Sequence, residues 1–198
     1  MSELWLSLIT FAVIATASPG GATTLATASG MRFGLARSLP LLLGIAAGLA
    51  SLVGVVAGGL GSLVMSWPAL QFWLRLFGSG YLLWLAWSIG RRGAPHSGGA
   101  ARERPIRFGG GFLLLWSNPK GWTMAVGAAG AYTALAEDPV KLGLLLATVF
   151  GGAAIGSLLL WCSGGQLLAR LLTTERQWRA VNIALALLLA ASILPMWL

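Results

Sequence analysis

Two short breaks, Ser18-Pro19-Gly20-Gly21 and Asn118-Pro119-Lys120-Gly121, interrupt apolar stretches of this 198-residue chain. Proline lacks an amide proton and clashes with the carbonyl four residues back, so each break stops a helix and frees backbone groups. In hydrocarbon those groups need partners. Irregular backbone at membrane depth survives only where it is buried in protein or lines a polar cavity. One break in each half therefore predicts a shared central site made of broken helices, as in a small transporter.

The surrounding composition sets the solvent. Apolar residues make up 57% of the chain and charged ones 9%, with a mean hydropathy of +0.82. Several apolar runs approach the roughly twenty residues that a membrane span needs. Together these exclude a soluble core and indicate an integral membrane protein. Ten tryptophans suit the membrane interface, and 28 glycines let bundled helices approach closely. Cys162 is the sole cysteine, so no intrachain disulfide can form and a metal cluster is not expected. The formal charge of +8 is spread between apolar spans rather than over a basic domain. This pattern reflects retention of arginine on the cytoplasmic side, not nucleic-acid binding.

Six spans follow along the chain, at about residues 4–28, 39–65, 69–90, 108–135, 142–172 and 180–198. Ala15-Thr16-Ala17 resembles a signal cleavage site, but Met1-Ser2-Glu3 carries no basic residue and small apolar residues continue past the break. The first segment is therefore kept as an interrupted span. Between the spans lie polar turns over Met31–Ser38 and Thr173–Arg179, and an arginine-rich flexible linker over Arg91–Arg107. His96, in that linker, has no second ligand at metal spacing and is read as an ordinary loop residue. Gly44 and Gly48, Gly54 and Gly58, and Gly152 and Gly156 stand four apart and can each seat a neighbouring helix, or simply reflect small-residue composition.

The turns after the first, third and fifth spans carry two, five and three basic residues, against only Arg75 and Lys141 on the other side. The bias predicts periplasmic termini and a cytoplasmic linker. The halves also correspond: displaced by one hundred residues, Ser18-Pro19-Gly20-Gly21 falls on Asn118-Pro119-Lys120-Gly121, and Gly30 on Gly130. The chain is thus expected to be one all-α domain, residues 1–198, with repeats 1–90 and 108–198 joined by linker 91–107. Three spans per repeat insert the two halves in opposite orientations.

Residues in this order carry a resemblance. Ser18-Pro19-Gly20, Gly30-Met31-Arg32-Phe33-Gly34, Leu39-Pro40-Leu41-Leu42-Leu43-Gly44, Gly80-Tyr81-Leu82-Leu83-Trp84-Leu85-Ala86-Trp87 and Asn118-Pro119-Lys120 together resemble the LysE/RhtB family of bacterial amino-acid exporters. The resemblance implies a six-span inner-membrane exporter of amino acids or related metabolites. Members commonly read Pro-Gly-Pro where this chain has Pro19-Gly20-Gly21, a departure that bears on substrate choice and on the stiffness of the break.

The site is assigned to Ser18, Pro19, Gly20, Gly21, Asn118, Pro119 and Lys120. Lys120 is the only charge well inside a span, where an unpartnered charge costs several kcal/mol. It either attracts a substrate carboxylate, or lies near the cytoplasmic end and simply snorkels or bonds the carbonyls freed by Pro119. No span offers an acid as countercharge, so neutral amino acids are expected over lysine or arginine. All five acids lie outside the spans, so catalysis lacks its usual parts. The alternatives are a hydrolase using Ser18 or Ser117 with Lys120, and a structural membrane protein. No cofactor or metal is expected; the partners are a small-molecule substrate and the lipid bilayer, with homo-oligomerisation left open.

Overall fold

The computed structural model describes residues 2–60, 66–94 and 104–197, and among these it is helical with no strand. In chain order the α-helices are α1 (Ser2–Ala17), α2 (Gly21–Val55), α3 (Pro68–Gly90), α4 (Phe108–Trp116), α5 (Pro119–Ala131), α6 (Pro139–Leu171) and α7 (Glu175–Ala191). Both proline motifs interrupt helices as expected, dividing α1 from α2 and α4 from α5. Linker residues 95–103, with His96, Arg102 and Glu103, lie outside the described residues, as do 61–65 at the expected end of the second span.

The polar turn expected over Met31–Ser38 contracts to one residue. Helical geometry continues up to Gly34, whose φ of 74° and ψ of 171° only glycine adopts without strain. Contacts with α6 show that the chain doubles back there. From α1 up to Gly34 they run in parallel, Thr16 with Ser157 and Ala17 with Trp161, then, further along both, Gly30 beside Cys162 and Thr27 beside Gly165. Beyond it they run antiparallel, Ala50 beside Gly151 and Gly54 beside Gly143. A single π-helical turn, Val56–Leu60, follows.

Two boundaries differ from the sequence reading. The fifth span begins at Pro139 because the Asp138 carboxylate caps the Lys141 amide at 2.8 Å. Thr173–Arg179 is not a turn throughout: Thr174 and Gln177 form a capping box that starts α7 at Glu175. The pattern Thr-x-x-Gln carried that signal in the sequence.

Helix α6 lies at the centre, packed against both limbs of α2, while α4 backs onto the second limb and α3 onto α7. Phe150, Leu8, Leu41, Ile45, Leu52, Leu114 and Leu146 are fully buried. The backbones approach very closely at Gly30, where an added Cβ would overlap the Cys162 carbonyl, and at Gly165, where it would overlap that of Thr27. Gly44 likewise lies on the Phe108 carbonyl, whereas Gly152 and Gly156 meet nothing within 4 Å. The glycine pairs on α2 thus seat helices and the pair on α6 does not.

Outward faces are apolar, with Leu6, Ile14, Phe77, Leu160 and Leu187 exposed. Such a surface suits lipid rather than water. Gly21–Gly59 and Pro139–Leu171 are long and apolar enough to cross a membrane, with mean hydropathies of 2.3 and 2.0. The basic turns gather at one end of the bundle. There Arg32 Nη1 donates to the Gly93 carbonyl, Asn182 Nδ2 to the Arg92 carbonyl and the Ala94 amide to the Glu175 carboxylate. At the other end Ser7 meets the Tyr132 hydroxyl, and Phe72 packs edge-on to Trp197.

Candidate functional site

A helix that stops inside a bundle must place its last carbonyls somewhere. At the end of α1 each has a partner. The Ser18 amide donates to Ile14 O and the Ser18 hydroxyl to Ala15 O. From α6, Ser157 Oγ donates to Thr16 O at 2.8 Å and Trp161 Nε1 to Ala17 O at 3.0 Å. The carbonyl of Ser18 itself accepts from Lys120 Nζ at 2.6 Å, and Ser18 Oγ accepts from the same ammonium at 2.8 Å. The two breaks, one hundred residues apart in sequence, are therefore in direct contact.

The second break satisfies its own backbone locally. The Ser117 and Asn118 amides donate to Leu113 O and Leu115 O, and Trp122 Nε1 donates to Trp116 O at 2.8 Å. Buried Asn118 caps α5 by accepting the Lys120 amide at 3.0 Å. Lys120 thus reaches across to the carbonyl freed by the first break rather than those freed by Pro119. Its opposite number, the start of α2, is capped by Thr23, which accepts from the Gly20 amide at 2.8 Å.

Glycine at 20 and 21 makes this approach possible. A Cβ on Gly20 would come 3.2 Å from Lys120 Cδ, and one on Gly21 would come 3.3 Å from Asn118 Nδ2 and 3.1 Å from Ser192 Oγ. A cavity of about 30 Å³ remains between the breaks, lined on its polar side by Thr16, Thr23, Asn118 and Lys120 and closed by Leu49, Met124 and other apolar residues. That space holds about two waters. An amino acid does not fit, so the site is closed around its own bonds.

Of the seven expected site residues, Ser18, Gly20, Gly21, Asn118 and Lys120 converge here. Pro19 is exposed and Pro119 is the first residue of α5; both act on the backbone rather than as lining. Ser117 turns away, against Gly78 of α3. Thr16, Thr23, Ser157, Trp161 and Trp122 were missed. Thr23 stands at the third helical position after Gly20, a local capping signal. Ser157 and Trp161 share a face of α6 by their spacing of four, but nothing near them in sequence points to α1.

Comparison with known proteins follows the same lines. A sequence model of the LysE type translocators matches residues 13–192. The proteins named "Cysteine/O-acetylserine efflux protein" in Escherichia coli (strain K12) and Shigella flexneri serotype 5b (strain 8401) are each 31% identical over 196 residues, covering 96% of this chain and 93% of theirs. No solved structure matches the chain. Efflux proteins of this kind are inner-membrane transporters and not enzymes. The family match, and not the Ser18–Lys120 contact, sets aside the hydrolase alternative. With the match running through both broken helices and nearly the whole length, the chain belongs to the LysE type translocator family.

Proposed function

We propose that this protein exports small amino acids with neutral side chains, or acylated derivatives of them, and that the cargo is held where the two breaks meet. The observation that carries the reading is the Lys120 ammonium bonded across the interface to Ser18 O and Oγ. Both acceptors are oxygens, and a cargo carboxylate offers two more in a similar arrangement. When the breaks separate, the ammonium exchanges Ser18 for the carboxylate, while Asn118 Nδ2 beside Gly21 supplies a further donor. No acid lines the cavity, so a cationic side chain would face Lys120 without a countercharge. The efflux proteins that resemble this chain are named for cysteine and O-acetylserine, both small and neutral in the side chain.

In this reading the helices form six spans: α1 with the first limb of α2, its second limb, α3, α4 with α5, α6, and α7. Each group of three is an inverted repeat of the other, with its first span broken. The end that gathers Arg32, Arg92 and the Glu175 turn faces the cytoplasm, and both termini face the periplasm. Support comes from the two broken helices in register and the basic turns at one end.

The test is a screen of labelled amino acids in proteoliposomes, with and without a proton gradient. Flux of O-acetylserine, cysteine or another neutral amino acid is expected. Preferential flux of lysine or arginine, or none for any amino acid, would overturn the reading.

A further inference from the structure

A second and larger cavity, about 410 Å³, lies nearer the basic end of the bundle. It is walled by Leu25, Ala28, Ser29 and Phe33 of α2, by Tyr81, Trp84, Leu85, Ser88 and Ile89 of α3, and by Arg92, Arg104, Pro105 and Ile106. Its volume falls in the range of small-molecule pockets, roughly 300–1,000 Å³. None of its described lining residues is acidic. Two guanidinium-bearing residues are in its lining: Arg104 is exposed, and half-buried Arg92 is steered by its bond from Nη2 to Ser88 Oγ at 3.3 Å. The remaining walls are apolar or aromatic, with the Ser29, Ser88 and Tyr81 hydroxyls as polar points. Tyr81 is held in place by donating to the Gly110 carbonyl at 3.2 Å.

This chamber and the closed site use successive stretches of one half-helix. Ala22 and Thr23 line the small cavity; Leu25, Ala28 and Ser29 line the large one. Six or so residues of helix separate their centres, about 10 Å along the axis. From the arginine pair through the chamber to Lys120, the described lining residues carry positive charge and no negative charge. A carboxylate meets a cation at each end of that path, and the apolar walls accept a short uncharged side chain.

We propose that the larger cavity is a loading site for the exported amino acid, in which Arg92 and Arg104 hold its carboxylate before the breaks open to Lys120. The proposal rests on the export reading and gives it an entrance, with selection for a free carboxylate made before the closed site is reached. Arginine suits this role because its planar fork can grip a carboxylate through two bonds and release it without a change of charge.

The test is direct binding by the full-length protein in phosphatidylcholine vesicles. Cys162 is buried, so Ala28→Cys supplies a thiol inside the chamber without removing a partner of either arginine. Maleimide labelling of that thiol should be slowed by O-acetylserine but not by O-acetylethanolamine, which lacks the carboxylate. Arg104→Gln should raise the O-acetylserine concentration needed for protection roughly tenfold, the loss of one charge-assisted bond, and Arg104→Lys should restore much of it. Protection should persist in Lys120→Met, in which export is lost, so a failed chamber and a failed export site give different results. Equal protection by both compounds, no protection by either, or protection that arises only when phosphatidylglycerol is added, marking an anionic lipid site instead, would each overturn the proposal.

Discussion

Replacing Lys120 by methionine keeps most of the length of the unbranched side chain and removes its charge. The ammonium makes two charge-assisted bonds to Ser18, at 2.6 and 2.8 Å. Bonds of this kind are worth about 1.5–3 kcal/mol each, and the half-buried setting of Lys120 reduces that figure. Ser18 Oγ also keeps its bond to Ala15 O, whereas Ser18 O loses its partner. The closed contact should therefore weaken by about 2–3 kcal/mol. For a chain of this length that lowers the melting temperature by roughly 4–12 °C while leaving the protein folded and inserted. Ser18→Ala removes one of the two Lys120 bonds and the hydroxyl's bond to Ala15 O but leaves the Ser18 carbonyl in place, so its effect should be about 1–2 kcal/mol. Purified variants in detergent give the melting curves, and proteoliposomes give export. Lys120→Met should lose export of neutral amino acids, and Ser18→Ala should retain part of it. Full export by Lys120→Met at an unchanged melting temperature would refute both the tether and the carboxylate site.

Three further outcomes are expected. Gly30→Ala should prevent stable insertion, because its Cβ overlaps the Cys162 carbonyl, whereas Gly156→Ala meets open space and should gain up to about 1 kcal/mol of helix propensity; similar yields and melting for the two would contradict the packing. A cysteine at Arg107 should be labelled only from the cytoplasmic face, and a reporter fused after Leu198 should be active only in the periplasm; the opposite pair of results would reverse the orientation. Gly21→Pro places proline at the first position of α2, where the backbone tolerates it, but presses its ring on Asn118, Ser192 and Leu189; the protein should fold and its relative rates among neutral amino acids should change, and an unaltered cargo profile would detach Gly21 from the site.

What could be read from the sequence was whatever is local or periodic. Pro19 and Pro119 announce their helix breaks because a missing amide proton acts on the residue's own turn. Asn118 before Pro119 reads as a cap for the same reason. The glycine pairs on α2 indicate faces of close approach, although sequence could not say that the pair on α6 would meet open space. The turn at Gly34 was placed too broadly. Arg32 and Arg37 look like loop residues, yet a single glycine with positive φ reverses the chain and leaves both arginines within helical segments. The partners of the α1 carbonyls were not legible. Ser157 and Trp161 lie some 140 residues from Thr16 and Ala17, and only the packing of α1 beside α6 brings them together.

The same bond that makes Lys120 a candidate for cargo binding also holds the breaks shut, and the two uses exclude each other. With its ammonium on Ser18, the cavity holds about two waters. With a carboxylate in place, Ser18 O must turn to water or to the cargo's own ammonium group. A zwitterionic amino acid can fill both roles, its carboxylate on Lys120 and its amino group on the Ser18 carbonyl. It then replaces the tether instead of merely breaking it. A ligand shifts a conformational equilibrium only by its difference in affinity between the states. On the proposed reading that difference arises from geometry: the cavity between the joined breaks has no room for the cargo, and separating the breaks without cargo would leave Ser18 O and Lys120 unmatched. An amine without a carboxylate, or a carboxylic acid without an amine, satisfies only one side. If the cargo is held at this contact, such half-ligands should open the breaks less readily than the zwitterion, and proteoliposome flux that is equal for the zwitterion and for either half-ligand would contradict it.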